Sequence, residues 1–361
     1  MKQEQLSELP PQRKLFKADM HCHTRHSGQA KHLRFLRCRD CYSRPLDVYR
    51  TAKRRGMDLV TITDHDSIDG CLELLDRLGP LPDFIMGEEA TAFFPRFGHE
   101  VHVGIYGLTE AQHREIQHLR RDGDTLVAYL RAEGLVYVLN HFFHGFSDSA
   151  RVREFIEHMA GLFDVFEVRN GSQQREHNSF IVRLLEERSR GSTIAHRPEP
   201  ESKGGRPFGR IAGSDAHTLR RIGRTYTASE ASTPEEFFAD IRSGRCRIFG
   251  AHSNHLSLAA DIYGVVLRHY PTVFSFGNGE FPAWTRVKTA ILTLAAAPFL
   301  FTPYVIAVRH CQIERQRIGS FARRILGSSP GLSTPQPMGQ LRSAAPSSPK
   351  GGESHGPYNL L

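Results

Sequence analysis

Six clusters of histidine and carboxylate residues punctuate this chain: Asp19-Met20-His21-Cys22-His23, Thr63-Asp64-His65-Asp66, Gly87-Glu88-Glu89, His99 to His102, Asn140-His141 and Gly213-Ser214-Asp215-Ala216-His217. Most of them directly follow a short apolar run rich in β-branched residues, which reads as a strand with the polar cluster at its carboxyl end. That repetition constrains the fold more than any single motif does. In the first cluster an extended backbone places Asp19, His21 and His23 on one face and Met20 and Cys22 on the other. Imidazole and carboxylate are the usual ligands of catalytic Zn, Mn or Fe, and one strand cannot complete a coordination sphere. With 20 histidines in 361 residues, a His-x-His pair arises by accident, so its company is what gives it weight.

Between the clusters, strands are expected over residues 15–21, 57–63, 83–87, 101–106, 135–139, 163–168 and 211–212. Helices are expected over 45–56, 69–78, 110–133, 151–158, 178–188 and 234–244. Strands mostly separated by helices imply a parallel α/β sheet, wound up or closed into a barrel. In such folds the ligand site lies at the carboxyl ends of the strands. Residues 1–14 form a polar start, 15–260 the barrel, and 261–327 an extension carrying the apolar segment 289–308. The Ser-, Pro- and Gly-rich tail 328–361 is expected to be disordered. The aperiodic stretch 191–210 reads as a loop, either a lid or a plain surface insertion.

Net charge is +8, but residues 286–361 hold nine Lys and Arg against two Glu, which leaves the barrel nearly neutral. The balance therefore makes no case for a basic nucleic-acid face. Residues 289–308 carry no charge and are flanked by Arg286, Lys288 and Arg309, which would suit a peripheral or C-terminal membrane contact. Pro298 and Pro303 favour the other reading, a buried or self-associating apolar segment. The six cysteines are scattered, and Cys38-Arg39-Asp40-Cys41 has no second CxxC to complete a zinc site, so they read as ordinary thiols of a reducing compartment. The amino terminus has no apolar core of a signal peptide, and a cytoplasmic location is expected.

In their order, these clusters resemble the motifs of the PHP (polymerase and histidinol phosphatase) family, over roughly residues 15–250. The resemblance implies a distorted seven-stranded (β/α)7 barrel, TIM-like, with two or three divalent ions (Mn, Zn or Fe) at its mouth. Carried over by position, His21, His23, Glu89 and Asp215 hold a first metal, and Glu89 bridges to a second also held by His102 and His141. The family form Gly-x-Glu selects Glu89 over Glu88, and adjacent strand residues face opposite ways. His65 and His217 bind a third, while Asp64 ligates or orients a neighbouring imidazole. Many relatives read Ser-Asp-Gly after the His-x-His, with that Asp on the third metal. This chain reads His26-Ser27-Gly28, so His26 is expected as the replacement.

The chemistry implied is hydrolysis of a phosphate ester by a metal-bound hydroxide, since paired ions acidify water and neutralise phosphoryl oxygens. Asp215, His217 and Asp64 are the expected catalytic residues, and Arg169 and Arg220 are candidates to grip phosphate. The substrate is expected to be a small phosphorylated molecule, a nucleotide or a nucleic-acid 5′ end, with no obligate protein partner. The Thr63–Gly70 stretch looks most like the nucleoside 3′,5′-bisphosphate phosphatase and 5′→3′ exonuclease branch. That branch carries a phosphate-gripping insertion between the ligands matching His102 and His141, and the gap here is too short for it. Two other readings stay open: a metal-dependent amide or lactone hydrolase, and a non-catalytic module braced by its metals.

Overall fold

The computed structural model describes residues 14–30, 38–189, 208–274, 282–296 and 301–327. Among the described residues nine strands form one sheet: β1 Phe16–Asp19, β2 Leu59–Ile62, β3 Phe84–Phe94, β4 His99–Tyr106, β5 Val136–Leu139, β6 Val165–Asn170, β7 Gly209–Gly213, β8 Thr225–Ser229 and β9 Arg247–Gly250. Their spatial order is β7-β6-β5-β4-β3-β2-β1-β8-β9. The seven expected strands correspond to β1 to β7, and the expected count of seven is corrected to nine. The two additional strands carry weak signals: β9 is short and largely exposed at an edge, and β8 is only five residues of mixed polarity.

The sheet is also not wholly parallel. β1–β2–β3 and β5–β6–β7 pair parallel, whereas β3–β4 and β4–β5 pair antiparallel. Only residues 95–98 separate β3 from β4, and a parallel return needs a crossover of about a dozen residues or more. This reversal matters for the site. Because β4 runs against its neighbours, it reaches the common rim near its start, which is why His102 precedes an apolar run while the other clusters follow one.

The sheet curls until β7 meets β1 and β8. Asp215 N donates to His21 O at 2.8 Å, His23 N to Ala216 O at 3.2 Å, and Thr227 Oγ1 lies 2.8 and 3.0 Å from Ala212 N and O. The closure depends on Gly213, where a Cβ would stand 2.2 Å from the Cβ of His21. Gly213→Ala is therefore expected to push β7 off the first ligand strand. It should cost about 1–3 kcal/mol in denaturant unfolding and lower metal content as well.

Helices α1 Pro45–Arg54, α2 Asp69–Leu78, α3 Glu110–Leu119, α4 Gly123–Ala132, α5 Val152–Leu162, α6 Arg175–Ser189 and α7 Pro234–Arg242 follow the sheet in chain order. The single helix expected over 110–133 is broken, because the Asp122 side chain caps α4 by accepting from Thr125 N. Gly123 then lets α4 press against Phe94, whose ring atoms lie as close as 2.3 Å to where a Cβ would be. Three further helices follow: α8 His255–Phe274, α9 Ala283–Ala296 and α10 Thr302–Leu326. Ile318, Phe321 and Ile325, on one face of α10, are buried in the main core beside Phe143, Phe146 and Phe180.

No helix among the described residues is long and apolar enough to cross a membrane. Within the segment 289–308, residues 297–300 lie outside the described residues, as do the 190–207 part of the expected loop, residues 1–13 and the tail 328–361.

Candidate metal centre

Glu89 is fully buried at the middle of the rim, and its two oxygens face two different sets of imidazoles. Oε2 lies 3.2 Å from His21 Nε2, 2.9 Å from His65 Nδ1 and 3.6 Å from His23 Nε2. Oε1 lies 2.9 Å from His141 Nε2 and 3.3 Å from His102 Nδ1, and it accepts from Asn140 Nδ2 at 3.0 Å. Asp215 Oδ1 stands 3.2 Å from His23 Nε2 and 3.6 Å from both His21 Nε2 and His217 Nδ1. Glu88 faces the opposite way, towards α3, where it meets His113 at 2.6 Å and Gln117 at 3.2 Å.

The rings of His21 and His23 are aimed by their other nitrogen. His21 Nδ1 donates to Glu167 Oε1 at 3.0 Å, while Glu167 Oε2 accepts from His141 N and Asn170 Nδ2, both at 2.9 Å. His23 Nδ1 meets Ser27 Oγ at 3.0 Å, and Ser27 Oγ donates to Asp64 Oδ1 at 2.6 Å. Asp64 also accepts from Thr24 N and Thr24 Oγ1, so it braces the turn after β1 and reaches His23 only through Ser27. Holding Nδ1 in this way leaves Nε2 of His21 and His23 with its lone pair free for a cation. His141 and Asp215 have φ of 24° and 50°, a region non-glycine residues seldom enter, so the chain is bent locally to present them.

Divalent ions fit this set on two counts. His21 Nε2, His65 Nδ1, Glu89 Oε2 and His102 Nδ1 are buried and make no hydrogen bond, although they approach one another to as little as 2.9 Å. Buried polar atoms are nearly always satisfied, so a shared absence of bonds at one point asks for a cation. Second, the groups His21/His141/Asp215, His21/His23/Glu89, His65/Glu89/His102 and His23/His65/His217 each bring three donor atoms within 4.8 Å of one another.

The charges agree. Burial alone would raise Glu89 and Asp215, but the surrounding imidazoles, His21 foremost, hold both carboxyls well below the usual carboxylate range. Burial and the neighbouring His217 and His65 push His23 down to about 3, so it stands neutral, as ligation needs. His217 goes the other way, to about 9, because Asp40 outweighs its burial.

Three expected residues do not join the cluster. His26 Nε2 is 2.6 Å from Glu73 on α2, beside Arg25 on the outer surface. Arg220 is bound to Asp261 at 2.9 Å and to Ser257 O, which ties α8 to the loop after β7. Arg169, at the end of β6, donates to Gly250 O at 3.1 Å. Conversely, the sequence reading passed over Asp40, Ser27, Glu167 and Asn170. Asp40 Oδ2 sits 2.8 Å from His217 Nε2 and 3.4 Å from His65 Nε2. Glu167 had a signal, as an acid set between Phe166 and Val168 within the strand.

The chain has partial likenesses to known proteins. A stretch of 57 residues is 40% identical to an uncharacterized protein, MJ1587, of Methanocaldococcus jannaschii; it makes up 16% of this chain and 33% of that relative, so the match spans about a third of the relative's length. Among solved structures, the chain is similar to a two-domain protein containing a predicted PHP-like metal-dependent phosphoesterase from Bacteroides vulgatus, at 17% identity over 69% of each chain with a TM-score of 0.42. It is also similar to the lesion-specific endonuclease PfuEndoQ of Pyrococcus furiosus, at 17% identity over 65% of this chain and 58% of that one, with a TM-score of 0.41. Residues 206–246, which carry β7, Asp215 and His217, match the family model described as PHP-associated. The match is confined to that segment, which brings Asp215 and His217 to the motifs around Glu89.

Proposed function

We propose that this chain is a metal-dependent hydrolase of phosphate esters, with His21, His23, Glu89 and Asp215 holding one divalent ion and Glu89, His102 and His141 a second. The observation that carries the reading is Glu89, whose two buried oxygens each face at least two imidazoles, as a carboxylate shared between two cations must. Nitrogen and oxygen donors of this kind suit Mn, Zn or Fe. Bound there, the ions supply Lewis-acid charge for a phosphoryl group and lower the pKa of water.

The protein's own groups do the positioning. Glu167 and the Ser27–Asp64 pair fix the ring planes of His21 and His23, and Asn170 Nδ2 holds Asp215 Oδ2 at 3.2 Å. Asp215, 11% exposed and touching His23 and His217, is placed to accept a proton at the mouth. Arg169 is the better placed cation for a substrate anion, since its described partner is a carbonyl, whereas Arg220 is neutralised by Asp261. The substrate class is a small phosphorylated molecule or a nucleotide 5′ end.

Protein reloaded with Mn or Zn is expected to release phosphate from part of a phosphoester panel. The activity should disappear with chelator and in His21→Ala. Fully loaded protein that is silent on every phosphoester but cleaves amides or lactones in the same panel would overturn the bond assigned here while keeping the centre.

A further inference from the structure

We propose that α9 and the first half of α10 form a face that docks this protein on an anionic lipid surface. The proposal is independent of the metal-centre reading. Apart from Leu78 and Phe93, every exposed large apolar side chain among the described residues lies on α8, α9 or α10 or at the residue that caps α10. Single apolar side chains on a surface need no explanation, whereas a concentration of them marks a contact. Two helices carry theirs inside out. On α9 the buried residues are Thr285 and Thr289, while Trp284, Val287 and Ile291, spaced three and four apart, share the exposed side. On α10 the small Ala307 and Cys311 are buried, and Phe301, Val305 and Ile306 lie on the opposite arc. Trp284 and Phe301 are 69% and 76% exposed.

A helix that faces water turns its large apolar residues inward, so the inverse pattern is fitted to an apolar medium outside the barrel. Charge selects which medium. Helices α8 to α10 hold eight Lys and Arg against two acids, Asp261 and Glu314. Both acids are paired, Asp261 with Arg220 and Arg221 and Glu314 with Arg317, so they do not offset the excess. Arg309 is exposed within the apolar arc of α10, and Arg286 and Lys288 flank Val287 on α9. Tryptophan and aliphatic side chains interleaved with cations suit the interface of an anionic bilayer. A second copy of this chain would bring the same excess of cations to the contact, which favours lipid as the occupant. With no described helix long and apolar enough to cross, the contact is peripheral.

Flotation of the full, metal-loaded chain with phosphatidylcholine vesicles and with mixed phosphatidylcholine–phosphatidylserine vesicles tests this. At least about tenfold more protein should float with the mixed vesicles, and added salt should lower that binding. The double variant Val287→Glu, Ile291→Glu should bind them at least about tenfold less, with melting temperature and metal content unchanged because both side chains are exposed. No flotation with the mixed vesicles, equal flotation with both kinds, or full binding by the double variant would each overturn the proposal. Other occupants leave contrary signatures. A wild-type dimer that binds no vesicle and that the double variant turns into a monomer marks a second copy, and flotation gained only on deleting residues 328–361 marks the chain's own tail. Should the double variant not fold, the wild type's preference between the two vesicles and its salt dependence still decide.

Discussion

Replacing Glu89 by Gln should strip the two buried metal positions together and cut phosphate release by more than about 100-fold. The estimate follows from outer partners of metal ligands, whose loss alone costs about 10–100-fold, and in the proposed centre Glu89 is a direct ligand counted twice. The amide keeps the shape of the side chain but has one neutral oxygen where the carboxylate has two charged ones. Of the two imidazole sets, His21 with His65 and His102 with His141, one thereby faces an NH2 group and the other only a neutral oxygen in place of the charged acceptor 2.9–3.3 Å away. Glu88→Gln is the natural control. It is one residue away and equally buried, but its partners are His113 and Gln117 on α3. That variant should keep its metals and activity and show its effect in thermal unfolding. Metal analysis and kcat/KM on the pair check the claim, and equal losses in both variants would contradict the assignment of Glu89 as the shared ligand.

What could be read from the sequence follows from how far each interaction reaches. The two-residue period of a strand is local, so His21 and His23 on one face follow from a short stretch of chain, as does the rule that only one of Glu88 and Glu89 can join them; the resemblance to Gly-x-Glu chose Glu89. The ends of β1, β2, β5 and β7 are marked by the switch from apolar to polar residues, and those switches carry His23, His65, His141 and Asp215. Asp40 is different. It meets His217 across 177 positions of sequence, and nothing in its neighbourhood distinguishes it from any loop carboxylate. His26 looked better because it is adjacent to the motif, yet Glu73 on α2, 47 residues on, captures it. Likewise Arg220 has the right charge and position, and only the fold reveals that Asp261 has taken it. No helix was expected over α10, because nothing local to the extension 261–327 says that Ile318, Phe321 and Ile325 pack into the core.

Phe321→Ala is expected to destabilise the protein by about 3–5 kcal/mol, the usual cost of emptying a large buried aromatic site. For a chain of this size that is a fall in melting temperature of roughly 5–10 °C. Phe321 is fully buried, with its ring 5.7 Å from Phe143 and 6.0 Å from Phe146. Both belong to the turn that begins at His141, and Arg317 on the same helix donates to Phe146 O at 2.7 Å. Helix α10 thus props the segment that presents His141, a ligand of the second ion in the proposed centre, so the variant should also bind that ion more weakly. Removing residues 286–361, which from sequence looks like trimming a basic, apolar tail, would take Ile318, Phe321 and Ile325 out of the core. The truncated protein should expose apolar surface and aggregate, whatever the tail does in the cell. A deletion beginning after Gly327 spares α10 and should leave melting temperature and metal content unchanged; a large loss of either would show that the core depends on residues beyond the helix.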